Sequence, residues 1–234
     1  MNKITLSLTK TLYICSMIFN NESAKKVAEL LLQIKAIKLQ SANPFIWASG
    51  WKSPIYCDNR KALSYPPVRT YIRQQFVDAV KEFFPTVDVI AGVATGGIAH
   101  GVLVAEALGL PFAYVRSSSK EHGMQNLIEG EIEKGQNIVV IEDLISTGGS
   151  SLKAVEELRK NGGNVLGMLA IFSYNFDEAV KNFEAHKCKL FTLSNYNVLL
   201  DTALKTNYIS EKDVDSLNQW RENPKVWDVA PKSK

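Results

Sequence analysis

The chain is poor in the residues that mark several common kinds of site. Its three cysteines, Cys15, Cys57 and Cys188, lie far apart and without Cys-x-x-Cys spacing, which excludes a disulfide framework and a cysteine-rich zinc site. Its three histidines, His100, His122 and His186, are not spaced as ligands of a shared metal. No stretch approaches the ~18 apolar residues of a membrane helix. Residues 12–19, preceded by Lys3 and Lys10, faintly resemble a signal segment, but the run is short, broken by Ser16 and followed by no small-x-small cleavage site. An excess of one charge is also missing: 27 basic residues stand against 24 acidic ones, a net +3, so no nucleic-acid surface is expected. There is no internal repeat, low-complexity tract or obvious linker. These absences together lead us to expect a cytoplasmic protein with neither a membrane nor a nucleic acid as partner.

What is present is ordinary in amount, with 46% apolar and 22% charged residues, and informative in order. Residues 1–20 read as an N-terminal extension, either a start-site artefact ahead of Met17 or a disordered arm. A helix opens at Asn21-Glu22, with Val27, Leu30, Leu31, Ile34 and Ile37 on one side. Residues 43–60 suit short strands and turns, and Pro66-Pro67 starts a second helix that Pro85 stops. Strand-like runs at 87–94, 112–115, 138–141, 165–172 and 190–193 then alternate with helical segments at 97–108, 149–160 and 176–184. That alternation predicts an α/β fold, a central mostly parallel sheet flanked by helices on both faces. Ligands of such sheets bind at the carboxyl ends of the strands. The expected division is a hood subdomain over 21–65 and a core over 66–234 ending in a helical segment near 213–221.

One segment carries most of the chemistry. In residues 137–151 the apolar run Ile138 to Ile141 is followed by two carboxylates, Glu142 and Asp143, then by Ser146-Thr147-Gly148-Gly149-Ser150-Ser151 and a helix start. Such a loop can wrap a phosphate with its N–H groups while the helix N-terminus faces the charge. The carboxylates suit ribose hydroxyls or a ligand-held Mg²⁺. The loop is no Walker A sequence, because no Gly-Lys-Ser/Thr ends it, and residues 92–101 lack G-x-G-x-x-G spacing. Thr95-Gly96-Gly97 is a second candidate anion-contacting turn, with a plain tight turn as its alternative.

The run Glu142-Asp143-Leu144-Ile145-Ser146-Thr147-Gly148-Gly149-Ser150 resembles the phosphoribosyl-diphosphate signature of type I phosphoribosyltransferases. Two further segments narrow the resemblance to the orotate phosphoribosyltransferase family: Ser49-Gly50-Trp51-Lys52-Ser53-Pro54, and Arg116-Ser117-Ser118-Ser119-Lys120-Glu121-His122-Gly123, which looks like the mobile catalytic loop. The resemblance spans about residues 21–200. It implies Mg²⁺-dependent transfer of ribose 5-phosphate from phosphoribosyl diphosphate to N1 of orotate, in pyrimidine biosynthesis, by a homodimer with shared active sites. It further implies Arg116, Lys120 and His122 as the catalytic, diphosphate-contacting loop, residues 142–150 as the sugar-phosphate site, and Ser146 with Lys52 at orotate. No direct protein ligand to Mg²⁺ is implied beyond the neighbourhood of Glu142 and Asp143.

The chain departs from the family pattern where Ala48, Gly96 and Ser117 stand in place of lysines and where Tyr174 falls near an arginine position. Two readings cover these losses: a subgroup that uses Lys52 or Arg60 instead, or a changed base specificity. A phosphoribosyltransferase for another nucleobase and a non-catalytic phosphoribosyl-diphosphate sensor are the alternatives.

Overall fold

The computed structural model of the chain describes residues 17–41, 43–46, 50, 52–117, 127–224 and 226–227. Met17–Ile18 forms β1, so the last part of the expected extension is a strand: it pairs in parallel with the edge of the main sheet. Asn20 caps α1 (Asn21–Gln33), its Oδ1 accepting from the N–H groups of Glu22 and Ser23 at 2.9 and 3.1 Å. The helix ends earlier than its apolar spacing predicts. Lys35 takes a positive φ of 55°, the chain reverses, and Ile37 opens β2 (Ile37–Leu39) rather than a fifth helical turn.

Two small antiparallel pairs follow: β3 (Phe45–Ile46) with β4 (Lys52–Ser53), and β2 with β5 (Ile55–Cys57). A 3₁₀ turn over Asn59–Ser64 leads into α2 (Pro66–Phe83), whose first turn carries both prolines. The alternating region then runs β6 (Val89–Val93), α3 (Gly96–Leu108), β7 (Phe112–Val115), β8 (Ile128–Glu129), β9 (Asn137–Ile145), α4 (Gly149–Lys160), β10 (Asn164–Ser173), α5 (Asp177–Ala185), β11 (Leu190–Asn195), α6 (Tyr196–Lys205) and α7 (Glu211–Glu222).

The main sheet has the order β1-β11-β10-β9-β6-β7-β8, parallel throughout except for the β7–β8 pair. Alternate side chains of β9 feed two cores. Val139 and Ile141 pack with α1, α2, α3, α6 and α7 on one face, while Ile138 and Val140 pack with Leu152, Val155 and Leu158 of α4 and Phe183 of α5 on the other. A strand covered on both faces reads as a continuous apolar run, which is why 138–141 was recognisable. Helix α1 lies against α6 and β11, so the segment expected as a hood divides: its helix joins the core layer and its short strands form the separate sheets.

The sheet order fixes where a ligand can sit. From β6 the chain crosses to β7 on one side, and from β9 to β10 on the other. Connections leaving in opposite directions open a crevice between the carboxyl ends of β6 and β9.

Candidate active site

The crevice is a cleft of about 380 Å³ lined by Cys57, Asp58, Arg60, Ala94, Thr95, Gly96, Glu142, Asp143, Leu144 and Ser150. Two helix N-termini reach its walls. Helix α3 starts at Gly96 behind Thr95, and α4 starts at Gly149 behind Gly148, which takes the left-handed conformation at φ 82°. Each presents unpaired N–H groups and the positive end of a helix dipole, so the cleft favours anions at two places.

The acidic pair does not end its strand. Strand β9 runs on through Glu142 and Asp143 to Ile145, because the charge that seemed to break it has internal partners. Glu142 is 5% exposed; its Oε1 accepts from the Asp143 N–H at 2.9 Å and its Oε2 from the Ser151 hydroxyl at 2.8 Å. The carboxylate thus ties β9 to the first turn of α4. Asp143 points to the other face, and a Cβ placed on Gly96 would collide with its carboxyl group. Burial pushes the Glu142 carboxyl well above its usual range, and the neighbouring Asp143 adds to the shift. Burial also raises Asp143, against the opposing bond to Glu142 and the charge of Arg60.

Three lining residues were not singled out from sequence: Cys57, Asp58 and Thr95's neighbour Ala94. Nor was Asn59, whose buried amide donates to the Asp143 carbonyl at 2.7 Å and pins the 3₁₀ turn to β9. The available signal was adjacency, since this run directly follows the Ser53-Pro54 segment. Ser53 itself is buried, its hydroxyl donating to the Ile55 carbonyl at 2.9 Å. The Cys57 thiol is pushed well up by burial and then by Asp143 and Asp58, which favours its protonated form.

The other expected site residues fall in several places. Leu144 and Ser150 line the cleft. Ser146 and Thr147 are half-buried, and the Thr147 carbonyl accepts from the Asn182 amide at 2.9 Å, holding the loop in place. Gly148 is needed for its positive φ and because a Cβ would come within 2.6 Å of the Phe183 ring, whereas Gly149 faces open space. The Ile145 side chain is fully buried in the core and its carbonyl accepts from Tyr174 N–H, so it is held away from the cleft. Lys52 is exposed on β4 and is not among the lining residues. Arg116 follows β7 with its guanidinium 3.6 Å from Glu129. Lys120 and His122 lie outside the described residues, as do Ala48 and Ser49. Tyr174 is buried against Phe172, Phe176 and Trp220, so the helix α7 that bears Trp220 is part of the core.

Comparison with known proteins agrees with this geometry. Residues 66–206 match the family model described as the phosphoribosyl transferase domain. The orotate phosphoribosyltransferase of Phocaeicola vulgatus is 60% identical over 205 residues, 88% of this chain and 97% of that protein. That of Listeria innocua is 54% identical, over 87% of this chain and 97% of the relative. A crystal structure of the Aeropyrum pernix orotate phosphoribosyltransferase superposes with a TM-score of 0.69 at 26% identity, covering 79% of this chain and 99% of that one. The chain belongs to the phosphoribosyltransferase family and, within it, to the orotate phosphoribosyltransferases.

Proposed function

We propose that the protein transfers the 5-phosphoribosyl group from phosphoribosyl diphosphate to N1 of orotate, releasing diphosphate and orotidine 5′-phosphate, in pyrimidine biosynthesis. The observation that carries this is the joint opening of a glycine-hydroxyl helix start and a carboxylate on one cleft at the β6–β9 crossover point. The name shared by curated relatives, at 54–60% identity, supports orotate as the base. This favours the subgroup explanation of the missing lysines over a changed base.

The C1′–O bond breaks with its electron pair going to the departing diphosphate, while orotate N1 gives up its proton to the diphosphate and forms the new bond to C1′ with the electron pair of the broken N–H bond. Backbone N–H groups of residues 147–151 hold the 5-phosphate. Asp143, with Glu142 at the cleft floor, takes the ribose hydroxyls. Charge growing on the leaving group is met by the α3 N-terminus and, on closure of the loop, by Arg116, Lys120 and His122, which also shut out water. Ser146 and Lys52 are assigned to orotate.

Mg²⁺ fits this site as an ion carried by its substrate. Among the described residues no group of three or more histidine, cysteine and acidic side chains could cage a metal, and Glu142 has both oxygens engaged. Asp143 is the side chain that would hold it, with substrate and water oxygens supplying the rest. When bound, the ion neutralises diphosphate charge. The active form is a cytoplasmic homodimer whose subunits share their sites.

Mixing the protein with Mg²⁺, orotate and phosphoribosyl diphosphate should consume orotate, read as loss of its ultraviolet absorbance. No turnover with orotate, together with turnover of another base, would overturn the substrate. Lys120→Ala should slow turnover by about a thousandfold with an unchanged melting temperature; an unaltered rate would remove the loop from the mechanism.

A further inference from the structure

The cleft has an unbalanced lining for a protein that binds a polyanion. Its described lining residues include three acids, Asp58, Glu142 and Asp143, and a single cation, Arg60. The Arg60 side chain is 60% exposed, and its Nε donates to Asp58 Oδ1 at 2.7 Å. No described residue bonds its two terminal nitrogens. A guanidinium held by one edge in this way offers its other edge as a planar pair of donors, the geometry that recognises phosphate oxygens.

The turn that carries Arg60 is fixed relative to the cleft. Asn59, its neighbour, bonds the Asp143 carbonyl, and the turn packs on α2, α3 and β9. Arg60 shares the cleft wall with Ala94, Thr95 and Gly96 at the start of α3. The 5-phosphate is assigned to the α4 start, so the anion at the α3 end is the diphosphate. Gly96 cannot supply a cation there, because any side chain on it collides with Asp143.

We propose that Arg60 binds the diphosphate of the substrate, with Asp58 orienting its guanidinium, and so serves as the resident cation of the leaving-group site. The step needs no proton from Arg60: the electron pair of the broken C1′–O bond stays on the diphosphate, whose oxygens accept from the guanidinium. This rests on the proposed transferase reading, and the test is chosen to separate the two. Calorimetry would compare the unmutated protein with Arg60→Gln, Arg60→Lys and Asp58→Asn, titrating Mg²⁺ with phosphoribosyl diphosphate, with diphosphate alone, and with orotidine 5′-phosphate. Arg60→Gln should weaken the first two by about tenfold or more and leave the third within about twofold. Arg60→Lys should recover part of the loss, and Asp58→Asn should fall between. Unchanged diphosphate affinity in Arg60→Gln, or a loss confined to orotidine 5′-phosphate, would overturn the proposal. Failure of the orotate assignment would instead appear as absent turnover by the unmutated protein that still binds phosphoribosyl diphosphate.

Discussion

Glycines mark the starts of α3 and α4 after adjacent strands, Gly96-Gly97 as the first two residues of α3 and Gly149 as the first of α4 behind Gly148, yet Gly97 and Gly149 are there for opposite reasons. At α3 the space is already filled by protein. A Cβ on Gly97 would collide with the carbonyl oxygen of Ile141 in β9, and one on Gly96 with the Asp143 carboxyl group. At α4 the space is empty, since a Cβ on Gly149 meets nothing within 4 Å. The α3 pair lets a helix press against the central strand; Gly149 leaves a helix end open, while Gly148 before it is packed against Phe183. A glycine pair therefore reports close approach, and only the structure says whether protein or substrate approaches.

The largest effect should come at Gly97. Ile141 belongs to the middle of the sheet and its carbonyl cannot retreat without moving β9, so Gly97→Ala should cost about 3 kcal/mol. The improved helix propensity of alanine, about 1 kcal/mol, works against this and is too small to cancel it. Urea unfolding measures the difference; a loss below about 1 kcal/mol would mean that α3 can slide on the sheet.

Gly149→Ala is the counterpart at the empty end. Its φ is not positive, so alanine is accepted at the first helical position, and stability should hold or rise by about 0.5 kcal/mol. The new methyl enters space assigned to the 5-phosphate, so kcat/KM for phosphoribosyl diphosphate should fall by about thirtyfold, roughly 2 kcal/mol. Unchanged kinetics would remove the phosphate from this loop and with it the contrast between the two helices.

The same contrast explains what could be read from sequence. The α4 loop was legible because its cues are contiguous: apolar strand, acids, glycines, hydroxyls, helix. The alternation of strands and helices over residues 87–193 was legible for the same reason. The extent of β9 was not, because Glu142 is satisfied by Ser151, nine residues away, and charge beside a core looks like an end until its partner is known. Helix α6 was missed although Asn195 caps it, accepting from Val198 N–H at 3.0 Å, since β11 runs into it without a break. The cleft wall made by Asp58 and Arg60 comes from a turn far from β9 in sequence, and nothing local in that turn announces the bond from the buried Asn59 to Asp143.

Asp143 lies between the two helix starts, against Gly96 and on the lining of the cleft, and its substitution should have the smallest overall effect of the three. Its carboxyl is raised by burial, so the folded protein binds that proton more tightly than the unfolded chain, whose value is near the ordinary 3.8. Below that value both states are protonated and the group costs nothing. As pH rises past it, the unfolded chain ionises first, and folding loses stability until the folded carboxyl has ionised too. Asp143→Asn keeps the shape and the backbone carbonyl that Asn59 uses while removing the charge. It should raise stability by about 1 kcal/mol at pH 7.5 and lower kcat, the expected exchange at a site built for function. The gain should shrink as pH falls towards 4. Denaturant titrations at pH 7.5 and pH 4 decide it: a variant less stable at neutral pH, or a gain undiminished at pH 4, would show that the buried charge is compensated by its neighbours and that β9 carries its acidic pair without cost.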